Sequence, residues 1–378
     1  MENITVIGVG KLGLGLALLI EKSGYNVLGV DTNTEYVKKL NDKSFKTLEP
    51  EYNKLLLNSK NFKVTNNLEE GINYSDIIFI IVQTPNSGGD KFYDHSIVSN
   101  LLQNINKMKV ENKHIIIGCT VMPGYIDTIG QLLIEDCINT TLSYNPEFIA
   151  QGDIINGFLN PDIILIGTKS NILSDKLKEI YDKFILTKPR YCILSPLESE
   201  IVKISINGFI TTKISFANMI SDVCDKLGAN KYKVLNSVGG DSRIGNKYFN
   251  PGYSFGGPCF PRDTKALKLL VDKVNINSDI LTATTKYNQE HVKFQVEQML
   301  KENKDEYIIE NVCYKENSKI PIIEESAKLQ IAKKLVEHGK KVTIKDEIQL
   351  INEVKKEYGN LFIYNYINGI KTKNTYII

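Results

Sequence analysis

The sequence feature that most constrains the fold is a glycine-rich turn near the N-terminus, set between an apolar strand and a helix. Residues 4–7, Ile-Thr-Val-Ile, are predicted to form a largely apolar strand that runs directly into Gly8-Val9-Gly10-Lys11-Leu12-Gly13. A helix is predicted from there to about Lys22, and a second strand, residues 26–30, ends on Asp31. This is the G-x-G-x-x-G pattern in the strand–turn–helix context of dinucleotide-binding α/β domains. The chain is therefore predicted to open with a Rossmann-like domain.

Each position of this turn has a predicted role in holding a dinucleotide. Gly8 makes the tight turn, Gly10 lets a pyrophosphate approach the backbone, and Gly13 lets the helix pack on the strand. The first turn of the following helix, which includes Lys11 and Leu12, offers N–H groups and a partial positive charge to the phosphates. Asp31 can accept hydrogen bonds from a ribose diol and would repel a 2′-phosphate. The sequence thus favours NAD over NADP as cofactor.

Further apolar strands are predicted at residues 76–82, 114–118, 140–144 and 162–167, with helical stretches between them. That alternation is typical of a doubly wound parallel sheet, in which ligands lie beyond the carboxyl ends of the strands. Polar, proline-containing turns follow three of these strands, at Thr84-Pro85, at 120–124 and at 145–148. We expect them to line a cleft that includes Thr84 and Thr120. Cys119, at the end of an apolar strand, is interpreted as a packing residue.

Composition limits the class of protein and its partners. A chain of 378 residues is expected to form two or three domains, and a net charge of +2 argues against nucleic acid as the main partner. No apolar run is long enough to span a bilayer, and the N-terminus lacks the pattern of a signal peptide. The six cysteines are scattered without a Cys-x-x-Cys pair or a nearby histidine, which predicts neither a metal site nor disulfides. A cytoplasmic location is expected.

The second half of the chain changes from alternating elements to long helices. A helix predicted from Pro196 to about Gly228 places Lys203 and Asn207 four residues apart on one face, and Ile201, Ile204, Phe209, Ile214 and Ile220 could form its apolar side. The Lys–Asn pair is either a solvated surface pair or a desolvated functional lysine, and the neighbouring isoleucines support the second. A short α/β lobe is predicted to begin at Tyr307, with a strand to Tyr314, a helix from about Ile323 to His338 and a strand at 341–345. The predicted regions are 1–195, 196–303 and 304–378.

Residues 255–264, Phe-Gly-Gly-Pro-Cys-Phe-Pro-Arg-Asp-Thr, present one cysteine in a backbone of glycine and proline. Such a turn lets a small reactant approach the main chain closely, so Cys259 is interpreted as a presented thiol. Arg243 and Arg262, two of only three arginines, lie on either side of it, against 43 lysines in the chain. A guanidinium suits the recognition of phosphate or carboxylate. The alternative is a surface turn with a buried cysteine.

Together these motifs resemble the UDP-glucose/GDP-mannose dehydrogenase family over nearly the whole chain. The resemblance rests on the glycine turn, the three strand-end turns, Lys203 with Asn207, Asp241-Ser242-Arg243-Ile244-Gly245-Asn246, the Cys259 loop and Tyr314-Lys315. It implies an α/β protein of two Rossmann-like domains, N-terminal for NAD and C-terminal for the nucleotide sugar, joined by a long central helix. It also implies a homodimer formed through the middle region. Arg-Ile-Gly-Asn before the Cys259 loop favours UDP-glucose as substrate.

The chemistry implied by the resemblance is oxidation of a primary alcohol to a carboxylate, which removes two hydrides. An aldehyde is a poor hydride donor, whereas its thiohemiacetal with a cysteine can donate and leaves a thioester for hydrolysis. The implied catalytic residues are Cys259 as nucleophile, Lys203 for the thiolate and the oxyanions, Asp263 to hold a water or Lys203, Glu147 as base, Asn207 to orient the C6 oxygen and Thr120 to order water. The implied substrate-binding residues are Phe148, Gln151, Lys203, Asn207, Arg243 from a neighbouring subunit, Tyr248, Phe255, Gly256 and Lys315.

The chain departs from the family pattern at Gln151, at Pro258 and in the segment after Lys315, where Lys319 could replace a missing arginine. These departures bear on cofactor affinity and closure of the C-terminal lobe more than on the reaction type. Three alternatives remain. The same chemistry could act on GDP-mannose or a UDP-N-acetylhexosamine; a two-electron hydroxyacid dehydrogenase would use the same cofactor fold; or the chain could bind NAD or a nucleotide sugar without catalysis.

Overall fold

The structure is a computed structural model that describes residues 1–315, 318 and 320–366. The chain divides into two compact units, and the boundary between them falls between Lys203 and Ile204. Lys319 lies outside the described residues. The three regions predicted from the sequence remain a prediction, because the observed division places a single boundary inside the long helix.

The first unit is built on an eight-stranded sheet in the order β3-β2-β1-β4-β5-β6-β7-β8. The strands are β1 Asn3–Ile7, β2 Asn26–Val30, β3 Phe62–Thr65, β4 Ile77–Ile80, β5 His114–Ile117, β6 Thr141–Tyr144, β7 Ile163–Gly167 and β8 Arg190–Leu194. Neighbouring strands are parallel, as predicted, except that β6 and β7 pair antiparallel through Tyr144 and Gly167. The strand order reverses beside β1, so the glycine turn after β1 lies next to the end of β4, where such sheets bind ligands.

Helices cover this sheet. They are α1 Lys11–Lys22, α2 Thr34–Asn41, α3 Tyr52–Asn58, α4 Leu68–Tyr74, α5 Ser96–Lys107, α6 Ile154–Leu159 and α7 Asn171–Asp182, with a π-helical segment at Ile126–Gly130. Every residue of α1 from Gly13 to Ile20 is buried. Asn33, Asn67 and Ser170 cap the N-termini of α2, α4 and α7 by accepting backbone N–H groups. Each cap stabilises its helix by about 1 kcal/mol.

A long helix, α8 Pro196–Leu227, carries both Lys203 and Asn207. Ile204 is fully buried, but Ile201 and Phe209, both predicted to belong to the apolar packing side, are 40% and 69% exposed. Phe209 belongs to an exposed apolar row along α8, the α8 stripe, formed by Phe209, Phe216, Met219, Val223 and Leu227. Their spacing of seven, three, four and four residues places them on one helical face. No helix among the described residues is both long and apolar enough to cross a bilayer.

The second unit contains helices followed by a small α/β lobe. Its remaining elements are α9 Lys231–Gly239, α10 Phe260–Lys273, α11 Asp279–Lys301, β9 Glu306–Glu310, α12 Ala327–Glu337, β10 Lys341–Asp346, α13 Ile348–Tyr358 and β11 Ile363–Tyr366. The three strands form a parallel sheet in the order β11-β10-β9. The predicted strand to Tyr314 ends earlier, at Glu310. The helix predicted from about Ile323 begins at Ala327, because the Ser326 hydroxyl caps it by accepting the Leu329 N–H.

Candidate active site

The glycine turn of the first unit has the geometry that its predicted roles require. Gly8 has φ 86°, and a Cβ added there would lie 2.5 Å from the Ile81 carbonyl oxygen. A Cβ on Gly13 would lie 2.0 Å from the carbonyl oxygen of Gly8, so only glycine allows α1 this close to the turn. Gly10, in contrast, is exposed, and nothing lies within 4 Å of its added Cβ. The turn is therefore closed on its protein side and open where a pyrophosphate would approach.

The N-terminus of α1 is suited to an anion. No described side chain caps it, and the first turn, which includes Lys11 and Leu12, contains no acidic residue. Its N–H groups and the positive end of the helix dipole can therefore act on a phosphate. Asp31 directly follows β2, and its Oδ1 accepts the Asn33 N–H at 3.0 Å. These residues fit NAD: the start of α1 would hold its pyrophosphate, and Asp31 would accept hydrogen bonds from its ribose.

The strand-end turns are tied together by side chains from distant parts of the chain. The Thr84 hydroxyl donates to the Thr120 carbonyl at 2.8 Å. The carboxylate of Glu200, fully buried on α8, accepts the N–H groups of Gly124 at 2.6 Å and Ile126 at 2.9 Å. Burial raises the pKa of Glu200 to about 7, against the lowering effect of these two bonds. Glu200 was not among the predicted site residues, since nothing local in the sequence links it to the 120–124 turn.

Cys119 is buried beside this turn, and burial raises the pKa of its thiol to about 12. Such a thiol stays neutral at physiological pH and is a poor nucleophile. This environment agrees with the interpretation of Cys119 as a packing residue.

Glu147 follows β6, and its surroundings come from three elements of the first unit. The Lys203 ammonium, on a residue only 7% exposed, donates to the backbone carbonyl of Glu147 at 2.7 Å and lies 4.6 Å from the centre of the Phe148 ring. The Glu147 carboxyl group is 2.7 Å from the Tyr181 hydroxyl. Desolvation raises the pKa of Glu147 to about 7, although the Tyr181 hydrogen bond and the Lys203 charge lower it. Lys203 is thus the desolvated lysine rather than half of a solvated pair.

Gln151 occupies the position where the family pattern has an acid, and here it contacts the glycine turn. Its Oε1 accepts a hydrogen bond from the Lys11 ammonium at 3.0 Å. The next residue, Gly152, donates its N–H to the buried Glu49 at 2.9 Å. An amide at position 151 therefore still connects the Glu147 loop to the start of α1.

In the second unit, Cys259 is exposed and occupies the N-cap position of α10. An N-terminal helix position favours a thiolate through the helix dipole. The Asp263 N–H donates to the Cys259 carbonyl at 2.8 Å, which continues the first turn of the helix. The Asp263 side chain is buried and accepts a hydrogen bond from Asn207 Nδ2 at 2.6 Å. The structure thus brings Asn207 and Asp263 together one turn after the presented thiol.

The loop before Cys259 is held from two sides. Asn288 on α11 clamps Phe255 with both ends of its amide: Nδ2 donates to the Phe255 carbonyl at 2.9 Å, and Oδ1 accepts the Phe255 N–H at 2.8 Å. On the other side, the Gly257 N–H donates to the Glu324 carbonyl at 3.0 Å. A Cβ on Gly256 would lie 2.1 Å from the Glu325 carbonyl oxygen. The altered segment before α12 therefore still supports this loop through main-chain atoms.

The other predicted substrate-binding residues of this unit differ in exposure. Phe255 is buried under the loop, whereas Tyr248 is exposed, has φ 59° and packs edge-on against Phe260. The side chain of Arg243 is 87% exposed, and its guanidinium makes a two-point contact with Asp241 at 2.7 and 3.0 Å. Lys315 is exposed after β9. Within the described residues, no group of three or more His, Cys, Asp or Glu side chains is arranged to hold a metal ion.

Known proteins that resemble this chain belong to one family. Residues 2–185 match the NAD binding domain of the UDP-glucose/GDP-mannose dehydrogenase family, and residues 197–290 match the central domain of that family. A UDP-glucose 6-dehydrogenase of Rickettsia conorii is 34% identical over 303 residues, covering 79% of this chain and 69% of that protein. A UDP-glucose 6-dehydrogenase of Rickettsia bellii is 29% identical over 373 residues, covering 96% and 85%. The structure of a UDP-glucose dehydrogenase from Pyrobaculum islandicum has a TM-score of 0.85 at 27% identity and covers 96% of this chain and 86% of that one.

Proposed function

Because this chain belongs to the UDP-glucose/GDP-mannose dehydrogenase family, we propose that it is an NAD-dependent UDP-glucose 6-dehydrogenase. It would convert UDP-glucose to UDP-glucuronate by a four-electron oxidation. The observation that carries the proposal is the exposed Cys259 at the N-cap of α10, on a loop fixed by Asn288 and Glu324. A two-electron alcohol dehydrogenase with the same cofactor fold has no need for this thiol.

NAD would be held by Gly8, Gly10, Lys11, Leu12, Gly13, Asp31, Thr84 and Thr120. When bound, it would supply the hydride acceptor. The chain's own residues supply the covalent chemistry on the sugar. The Cys259 sulfur adds to the C6 aldehyde and makes a thiohemiacetal. Its oxidation leaves a thioester, and water then releases the carboxylate. The N-cap position of α10 favours the thiolate that this addition needs.

We propose the remaining catalytic roles from the family resemblance, and the surroundings of each side chain support them. Lys203, desolvated and held at the Glu147 carbonyl, would stabilise the oxyanions that form at C6. Glu147 is the base that takes a proton from the hydrolytic water, which Thr120 helps to order. The Asn207–Asp263 pair would orient the C6 oxygen and a water beside Cys259.

The residues proposed to contact the nucleotide sugar are those that the family resemblance implies. The proposed contacts are Phe148, Gln151, Lys203, Asn207, Arg243, Tyr248, Phe255, Gly256 and Lys315. The regions 1–195, 196–303 and 304–378 would serve as the NAD-binding, dimerisation and UDP-sugar-binding parts of the chain.

The enzyme is proposed to work as a homodimer in the cytoplasm. The α8 stripe leaves five large apolar side chains exposed on one helical face, an arrangement that favours association with a second copy. Arg243, exposed and paired with Asp241, would then reach the nucleotide bound by the partner subunit. The scattered cysteines suit a reducing compartment.

The test is the number of NADH molecules formed for each sugar consumed. We expect two with UDP-glucose and NAD, and no net acid formation by Cys259→Ala. Cys192→Ala, which removes a thiol from β8, is the matched control and should keep full turnover. One NADH for each sugar, or unchanged turnover by Cys259→Ala, would exclude the thioester route.

GDP-mannose, UDP-N-acetylmannosamine and NADP, tested in parallel, decide between the substrate and cofactor alternatives. Binding of both ligands without NADH formation would instead indicate a non-catalytic protein.

A further inference from the structure

A hydrogen-bond chain outside the predicted site residues ends on the Glu147 carboxyl group. The Tyr181 hydroxyl, on α7, is 2.7 Å from Glu147 Oε1 and also 2.7 Å from Asn145 Oδ1. A phenol has one proton to donate, yet both of these partners are oxygens that ordinarily accept. Tyr181 and Asn145 are both buried, so water does not provide an easy alternative partner.

The Asn145 amide cannot resolve this conflict by turning over. Its Nδ2 donates to the Leu165 carbonyl on β7 at 2.8 Å, which directs Oδ1 toward Tyr181. A flipped amide would face one carbonyl oxygen with another. If Tyr181 gives its proton to Asn145, the contact between Tyr181 and Glu147 needs a proton from the carboxylic acid. The observed geometry therefore satisfies every partner only when Glu147 is neutral.

Ionisation of Glu147 changes which oxygen receives the Tyr181 proton. The carboxylate then takes the Tyr181 proton, because a donor to a charged oxygen forms the stronger hydrogen bond. Asn145 Oδ1 is left without its donor, at the cost of a buried unsatisfied acceptor. Asn145 and Glu147 thus compete for one phenol proton, and Asn145 favours the neutral acid.

Among the residues that the structure describes, few charged or titratable groups face this hydrogen-bond chain. Lys203, from α8, lies at the Glu147 backbone oxygen and favours the carboxylate. Tyr191, from β8, lies near Tyr181, and burial holds its own pKa above the usual value. Burial likewise holds the pKa of Tyr181 well above its usual value, so its hydroxyl remains a donor throughout.

Building on the proposed function, we infer that Tyr181 and Asn145 are positioning residues that set the pH at which Glu147 becomes a base. In thioester hydrolysis the water oxygen bonds to the acyl carbon, and one water proton goes to Glu147. The C–S bond breaks with its electron pair on sulfur. As Glu147 gains that proton, the Tyr181 hydroxyl swings to Asn145, which stabilises the protonated acid. The raised pKa of Glu147, about 7, agrees with this arrangement.

Two substitutions should move the acidic limb of the kcat–pH profile in opposite directions. Tyr181→Phe removes the donor to the carboxylate and should shift the limb upward by about one pH unit, the effect of a hydrogen bond to a charged group. Asn145→Ala removes the competitor, leaves the phenol proton to Glu147 and should shift the limb downward. A purely structural role would lower kcat or stability without moving the profile in opposite directions.

The direct measurement is an infrared titration of the cofactor-free protein. The protonated-carboxyl band that is missing in Glu147→Gln reports this group alone, and its midpoint should move with the variants as the kcat limb does. Tyr25→Phe is the matched control, since it removes another buried tyrosine hydroxyl bonded to a glutamate, Glu179 on α7, away from the site. It should shift neither midpoint.

The infrared arm separates this inference from the proposed function, because it requires no turnover. Midpoints that move oppositely in an inactive protein would support the proton competition and reject the enzyme assignment. Equal midpoints in wild type, Tyr181→Phe and Asn145→Ala would overturn the inference even if the enzyme is active. Tyr181→Phe keeps the buried ring and carries the test alone if Asn145→Ala does not fold.

Discussion

Asn288→Ala perturbs the support of the Cys259 loop without touching the loop itself. The substitution removes both amide contacts to Phe255, at 2.8 and 2.9 Å, and leaves a buried N–H and C=O without these partners. At about 1 kcal/mol for each hydrogen bond, with a further penalty for the unsatisfied groups, we expect a loss of about 2–3 kcal/mol in the free energy of unfolding. The bond from Ser254 to the Asn288 backbone carbonyl survives, so the loop should loosen rather than unfold.

A loosened loop should lower kcat far more than it raises the KM for NAD. Displacing a reacting group by about 1 Å costs about 100-fold in rate, so we expect kcat to fall by about 10- to 100-fold. The NAD-binding turn belongs to the first unit and should be unaffected. Steady-state NADH formation gives both constants, and the rate of Cys259 alkylation, followed by mass spectrometry, reports the presentation of the thiol without turnover.

Asn230→Ala is the matched control for this experiment. It removes the N-cap of α9, where Asn230 accepts the Lys233 N–H, and should cost about 1 kcal/mol of stability without changing kcat. If Asn288→Ala retained the kcat and alkylation rate of Asn230→Ala despite its larger loss of stability, the amide clamp would not position Cys259.

Three further predictions concern other parts of the chain. Gly13→Ala places a Cβ against a main-chain oxygen and should destabilise the protein by about 1–3 kcal/mol, measured by chemical denaturation. Gly10→Ala should keep stability but weaken NAD binding, measured by calorimetry. Glu200 holds its proton more tightly when folded, so the free energy of unfolding should fall as pH rises from 4.5 to about 7, and Glu200→Gln should flatten that fall in denaturation curves. An unchanged slope would contradict the buried-carboxyl account. His291→Ala leaves the Asp222 carboxylate buried without its imidazole partner, which lies 2.9 Å away. The substitution should lower the free energy of unfolding, measured by urea denaturation, by about 3 kcal/mol. A loss below about 1 kcal/mol would show that the pair is not coupled.

Local patterns in the sequence predicted the first unit well. The glycine turn, the bounds of β1, α1 and β2, and most of the parallel sheet follow from apolar runs and turn residues spaced a few positions apart. The antiparallel pairing of β6 with β7 was missed, because strand direction depends on the path of the chain between strands. Phe209 was placed on the packing side of α8, since periodicity shows that a helix has an apolar face but not what covers that face.

The residues that position the candidate site were harder to find than those that would react. Cys259 and Lys203 stand out because their neighbours are unusual. Tyr181 and Asn288 lie 34 and 33 residues from the groups they hold, within ordinary helical sequence. Glu200 is 76 residues from Gly124. Contacts over such separations leave no local pattern, so a single sequence cannot assign these side chains a role.

The anchoring of two sheet turns by α8 affects how this protein can be cut into fragments. The family's NAD binding domain matches only residues 2–185, yet Glu200 and Lys203, beyond that limit, secure the 120–124 turn and the Glu147 loop. A fragment that ends at residue 185 lacks β8 as well as Glu200 and Lys203. A fragment extended to Leu194 contains all eight strands but still lacks both anchoring residues. The smallest excised piece expected to retain ordered cofactor loops therefore ends within α8, after Lys203.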